Sequence, residues 1–128
     1  MSSIDELNAK TLKGQKGPRR VFRALGYSIA GLRAGFMGEA AFRQLLALNA
    51  VLIPLAFTFE ISGVERALLI LVPMLSLVVE LLNSAIEAAV DRISVDIHPL
   101  SKKAKDMGSA AQLLTLVMIG VTWALVLY

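Results

Sequence analysis

Cysteine is absent from this chain of 128 residues, which excludes disulfides and thiolate metal sites outright and leaves the redox compartment unread. Histidine occurs once, as His98 in the stretch DIHPLS, where a lone imidazole reads as a loop residue before it reads as a ligand. The signatures of soluble nucleotide enzymes are missing too. GYSIAG (Gly26 to Gly31) is the nearest approach to a P-loop, but Leu32 and Arg33 stand where Lys and Ser or Thr are needed, and no strand precedes it. No glycine-rich kinase lobe, HRD or DFG set is present. A cleavable signal is not expected, because the basic head is interrupted by Gly14, Gly17 and Pro18 and the first apolar run lacks a small-residue cleavage site. Charge is missing altogether from Met107 to Tyr128.

What the chain has in its place is apolar bulk. A mean hydropathy of +0.68 and 56% hydrophobic residues exceed what soluble domains carry, so membrane embedding is the first expectation. Thirteen Lys and Arg stand against ten Asp and Glu, and eight of the basic residues fall before Gln44. Residues 1–19 form a polar, basic tail, with SIDE (Ser3 to Glu6) spaced like a capping box and GQKGPRR carrying turn and linker chemistry. From Val21, the apolar residues Val21, Phe22, Leu25, Ile29, Leu32 and Phe36 recur at helical spacing while Arg20, Arg23 and Arg33 occupy other parts of the wheel. The spacing predicts an amphipathic helix over about 20–38, lying on a membrane surface.

Three spans follow, at about 40–61, 67–93 and 107–128, joined by the polar connection EISGVER (Glu60 to Arg66) and a charged loop from Asp91 to Asp106. Asn49 and Pro54 weaken the first span without excluding it. The fold class is thus all-α and membrane-embedded. The head and the second loop, with Arg92, Lys102, Lys103 and Lys105, outweigh a first connection holding only Arg66, which predicts a cytoplasmic N-terminus and a C-terminus outside. Trp123 and Tyr128 then fall near the outer interface as anchors.

One stretch resists this simple picture. In LVVELLNSAIEAAVDRI (Leu77 to Ile93) the apolar run continues into carboxylates, and Glu80, Asn83, Ser84, Glu87 and Asp91 share one helical face. An ionisable group within a membrane helix costs about 2.5 to 3.5 kcal/mol on insertion scales, so several together require a compensating use. A solvated helix extension beyond the bilayer edge is the plain alternative. Against it, Ala85, Ala88 and Ala89 keep the flanks small and apolar, which suits packing on other helices. A further carboxylate, Glu39, lies where the surface helix turns into the first span. Carboxylates from two segments beside a Lys and Arg cluster describe a magnesium and polyphosphate site, hard oxygens holding metal and cations holding phosphate.

Three ordered stretches, GYSIAGLRAGFMGEAAFRQ (Gly26 to Gln44), VELLNSAIEAAVDRI (Val79 to Ile93) and KAKDMGSAA (Lys103 to Ala111), resemble the small bacterial integral-membrane diacylglycerol kinases, a family that also has an undecaprenol kinase branch. The resemblance runs from about Arg20 to the end and implies one membrane kinase domain over 20–128. It implies a homotrimer in the bacterial inner membrane, each subunit carrying a surface helix and three spans, that moves the γ-phosphate of MgATP onto the hydroxyl of diacylglycerol. Carried over position by position, Glu80 resembles the general base, Asn83 its support, and Glu39 and Glu87 the metal-bridging carboxylates. Lys105 and Asp106 resemble nucleotide and phosphate contacts, and Arg20, Tyr27, Asp96 and His98 their neighbours. Ser28 and Ser109, with Arg20 and Glu80, resemble lipid-side positions. Two departures stand out: Leu45 replaces a Glu frequent in the diacylglycerol branch, and SKK fills 101–103 where a Gly is common. The first bears on whether the acceptor is diacylglycerol or undecaprenol.

Two rival classes are weighed beside the kinase. A proton or ion pathway needs polar groups through the full thickness, whereas the third span reads as apolar throughout and the outer half of the second offers only Ser76. A noncatalytic scaffold built on small-residue contacts leaves Glu39 and Glu87 unexplained. No nucleic-acid partner is expected.

Overall fold

The computed structural model describes Ser3 and residues 17–128, so the capping box expected between Ser3 and Glu6 lies outside the described residues. The described elements are four helices: α1 (Pro18–Gly38), α2 (Ala40–Ala56), α3 (Gly63–Ile93) and α4 (Pro99–Leu127). They divide into two compact units, one ending at Met37 and the other running Gly38–Tyr128.

In the first unit, Gly17 takes a left-handed φ of 78°, a conformation open to glycine, and Pro18 with its fixed φ begins α1. The apolar residues Val21, Phe22, Leu25, Ile29, Leu32 and Phe36 are all at least half exposed. The helix is there as the spacing predicted.

In the second unit, α3 packs against both α2 and α4. Contacts between α3 and α4 pair in reverse order, Asp91 with Lys105, Glu80 with Gln112 and Leu69 with Trp123, so the two run antiparallel. The buried residues of α3, Leu69, Pro73, Ser76, Glu80 and Asn83, alternate three and four apart, a single seam along the helix. Most other apolar side chains of α3 and α4 face outward, Leu71, Val78, Leu82, Leu113 and Leu125 among them. That is the surface expected of helices whose solvent is lipid.

Both α3 and α4 are long and apolar enough to cross a membrane, and a third span arises only if α1 and α2 count together as one. With 31 residues α3 is about 46 Å long, well beyond the roughly 30 Å of a hydrocarbon core. The helix is thus longer than the apolar zone needs, and Glu87 and Asp91 lie in its C-terminal turns without a break in the helix.

Proline 73 removes the N–H that would bond to the Leu69 carbonyl one turn earlier. The indole of Trp123 donates to that carbonyl at 3.2 Å, so the vacancy is filled from the neighbouring helix. Trp123, placed by sequence as an interfacial anchor, thus also completes α3. The Asn49 amide donates to the Leu45 and Pro73 carbonyls at 2.9 and 3.1 Å, tying α2 to α3. The polar residue that weakened the first span is a buried link within it.

Three boundaries differ from expectation. Instead of running to Ile61, α2 ends at Ala56. Arg66 donates through Nε to the Ala56 carbonyl at 3.2 Å and through Nη2 to the Phe59 carbonyl at 2.8 Å, while the Thr58 hydroxyl takes the Leu55 carbonyl at 2.7 Å. Side chains thus satisfy the carbonyls that a further turn would use. Replacing Arg66 with Met is expected to destabilise the protein by about 1.5–3 kcal/mol, read by thermal inactivation in detergent, with kcat at low temperature unchanged. Instead of starting near 67, α3 begins at Gly63, set by a capping box with Ser62 Oγ accepting from Glu65 N–H and Glu65 Oε1 from Ser62 N–H. The third difference is the largest. Instead of starting at Met107, α4 begins at Pro99, with His98 as N-cap accepting from Leu100 N–H at 3.1 Å. Lys102, Lys103, Lys105 and Asp106 therefore sit on helix rather than in a loop.

Candidate functional site

The polar stripe of α3 divides by environment. Glu80 and Asn83 are buried, Ser84 and Glu87 half-buried, and Asp91 exposed. The first two face α4, so the stripe is not simply a solvated extension.

Around Glu80 the partners come from α4. The Gln112 amide donates through Nε2 to Glu80 Oε2 at 2.9 Å and to the Ser76 carbonyl at 3.1 Å. Thr115, itself buried, has two acceptors within reach of its one hydroxyl proton, the Gln112 carbonyl at 2.8 Å and Gln112 Oε1. Sequence reading missed both residues and took the third span as apolar throughout. In the structure α4 carries no charge after Asp106, but it turns the Gln112 amide to Ser76 and Glu80, with Thr115 against Gln112. The available signal was their spacing of three residues, one helical face within an otherwise apolar run.

Asn83 stands against Gly108. A Cβ at Gly108 would lie 2.1 Å from Asn83 Oδ1 and 3.1 Å from its Cγ, so the glycine leaves the space that the amide fills. Asn83 Oδ1 is buried and has no hydrogen-bond partner among the described residues.

Toward the ends of the two helices, Asp91, Asp96, His98, Lys102, Lys105 and Asp106 line a cavity of about 270 Å³. Lys105 pairs with Asp91 at 2.7 Å and Lys102 with Asp106 along α4. The structure thereby gathers four residues singled out by sequence, Asp96, His98, Lys105 and Asp106, around one opening.

Glu39 and Ser109 are not among the residues that line that cavity. Glu39 has extended backbone at the N-cap of α2, is half-buried, and makes no side-chain capping bond. Ser109 is exposed on α4. Arg20, Tyr27 and Ser28 are exposed on α1 in the other unit, the Ser28 hydroxyl donating to the Ala24 carbonyl at 3.0 Å. Among the described residues no three His, Asp or Glu side chains cluster closely enough to hold a metal ion by themselves.

With this geometry in place, the comparison with known proteins is decisive. Residues 26–127 match the family model for prokaryotic diacylglycerol kinase. The chain belongs to that family. A diacylglycerol kinase of Pseudomonas aeruginosa is 60% identical over 121 residues, 94% of this chain and 98% of that one. The diacylglycerol kinase of Escherichia coli is 46% identical over 112 residues, 88% and 92% of the two chains, and one from Helicobacter pylori is 49% identical over 108 residues, 84% of each. This member of the family is an ATP-dependent lipid kinase in a membrane. The buried carboxylate of the kinase and its charged cavity lie along one pair of helices, with Asn83 and Glu87 between them on α3.

Proposed function

We propose that the kinase transfers the γ-phosphate of ATP to the free hydroxyl of diacylglycerol, giving phosphatidic acid at the cytoplasmic face of the bacterial inner membrane. The observation that carries this reading is Glu80, a buried carboxylate held through one oxygen within an apolar helix pair. A lipid hydroxyl resides at the headgroup level, and a base for it belongs where the apolar zone ends. From Glu80 the same helix rises about 10 Å to Glu87 and about 16 Å to Asp91, toward water and the polyphosphate.

In this reading the acceptor oxygen attacks the γ-phosphorus and its proton passes to Glu80. The bond from that phosphorus to the bridging oxygen of the β-phosphate breaks, and ADP leaves. Asn83, packed against Gly108, supports the base from the next turn. Lys105, Asp106, Asp96 and His98 are assigned to the nucleotide together with Arg20 and Tyr27, and Ser28, Ser109 and Arg20 to the lipid. Lys105 supplies positive charge for the phosphates.

Glu39 and Glu87 are assigned to magnesium. Their oxygens are hard donors, and Glu39 spends no hydrogen bond on capping the helix it precedes. Magnesium commonly takes one or two protein carboxylates with substrate phosphates completing its shell, so these two residues fit it without a third. When bound, the ion neutralises charge on the phosphates.

The acceptor is read as diacylglycerol rather than undecaprenol. The relatives carry that lipid in their names, and Leu45, the departure that opened the alternative, is buried in α2 with 8% exposure. Packing accounts for an apolar residue at that position. A competition assay with both lipids in one micelle and limiting MgATP is expected to yield mainly phosphatidic acid. Predominant undecaprenyl phosphate would reverse the acceptor and leave the chemistry standing.

A homotrimer completes the proposal, with each N-terminus cytoplasmic and each C-terminus outside. Two or three spans enclose little by themselves, and the outward apolar and small residues of α3 suit neighbouring helices. Cross-linking in native membranes is expected to stop at a trimer, and a ladder ending at a dimer would exclude it.

A further inference from the structure

We infer that Gln112, oriented by Thr115, is the positioning residue of the phosphoryl-transfer base, holding one oxygen of Glu80 so that the other faces the acceptor hydroxyl. The inference rests on the reading of Glu80 as base and names what sets its geometry. Gln112 lies one residue beyond the KAKDMGSAA stretch.

The hydrogen bonds fix the amide in one sense. Glu80 Oε2 and the Ser76 carbonyl are both acceptors, and each requires an N–H. The Thr115 hydroxyl reaches Gln112 Oε1 as well as the Gln112 carbonyl, and it meets the oxygen side of the amide. Turning the amide over would set its oxygen against two acceptors, Glu80 Oε2 and the Ser76 carbonyl. Ser76 is fixed in turn, its own hydroxyl donating to the Pro73 carbonyl at 2.6 Å. The amide therefore bridges a full turn of α3, from the Ser76 backbone to the Glu80 side chain.

Such a clamp has a physical use. A carboxylate in an apolar seam has few neighbours to restrain it and little water to solvate it. Donation to Oε2 supplies part of the lost solvation and removes freedom about the terminal torsions of the side chain. Among the described residues Oε1 makes no side-chain hydrogen bond, and it is the oxygen left for the substrate proton. A base fixed in this way enters the transition state already aimed, and displacement by about 1 Å is enough to slow transfer a hundredfold.

The test uses full-length kinase in mixed micelles with diacylglycerol and MgATP. Gln112→Met keeps the length of the side chain and removes both polar ends, whereas Thr115→Val removes only the hydroxyl that aims the amide. Gln112→Met is expected to lower kcat by about tenfold or more, with KM for MgATP within about twofold. Thr115→Val is expected to give a smaller fall of the same kind, Thr115→Ser to restore it, and the double variant to be no slower than Gln112→Met alone. Full kcat in Gln112→Met, or independent and multiplying losses in the double variant, would overturn the inference. Should Gln112→Met fail to assemble, Thr115→Val and Thr115→Ser carry the test, since neither touches Glu80. Glu80→Gln, measured alongside, separates the two ideas: if it stays active the base assignment fails, and if it is inactive while Gln112→Met is normal only the clamp fails.

Discussion

Glu80→Gln is expected to reduce kcat by about a hundredfold to ten-thousandfold, the contribution of a positioned general base, while MgATP binding and membrane insertion persist. The replacement keeps size and shape but cannot accept the hydroxyl proton. It also removes a charge from the buried seam, where Glu80 has 6% exposure, so thermal stability should be equal to or above that of the native chain. This combination, lost turnover without lost stability, distinguishes a base from a packing residue. Single-turnover transfer from labelled ATP, with nucleotide binding measured separately, provides the check. Activity within about tenfold of native would remove Glu80 from the role.

Gly108→Ala is expected to act on the same site from the opposite helix. Its Cβ would fall 2.1 Å from Asn83 Oδ1, and since both residues are buried the amide must rotate away or the helices must part. Overpacking of this kind costs about 1–3 kcal/mol. The accompanying loss in kcat is expected to be about tenfold to a hundredfold, because Asn83 lies one turn from Glu80 on the same face. Adding Asn83→Ala to Gly108→Ala relieves the clash and should restore stability in detergent without restoring turnover. A single variant as stable and active as native would show that Asn83 does not need this space.

Much of the site was legible because its residues are near one another in sequence. Glu80, Asn83 and Glu87 fall on one helical face by spacing alone, whereas the burial of the first two comes with Gln112 and Gly108 of α4, and Ala85, Ala88 and Ala89 are exposed. The capping box at Ser62 and Glu65 was equally readable, as S-x-x-E before an apolar run, yet EISGVER read only as a polar connection. The early start of α4 was obscured for a different reason. Hydropathy registers where lipid ends, and a helix that continues into water under four charged residues looks like a loop to that measure.

The sequence by itself determined the helical class, the apolar segments, the carboxylate stripe and the family, because periodicity, composition and ordered motifs are properties of the chain. Tertiary structure alone decided which polar groups meet. The Gln112 amide finds Glu80 from 32 residues away, the Trp123 indole fills a carbonyl left open by Pro73, and Gly108 makes room for Asn83. Each of these contacts depends on the register of two antiparallel helices, and that register is set by how their side chains pack rather than by the pattern of either helix alone.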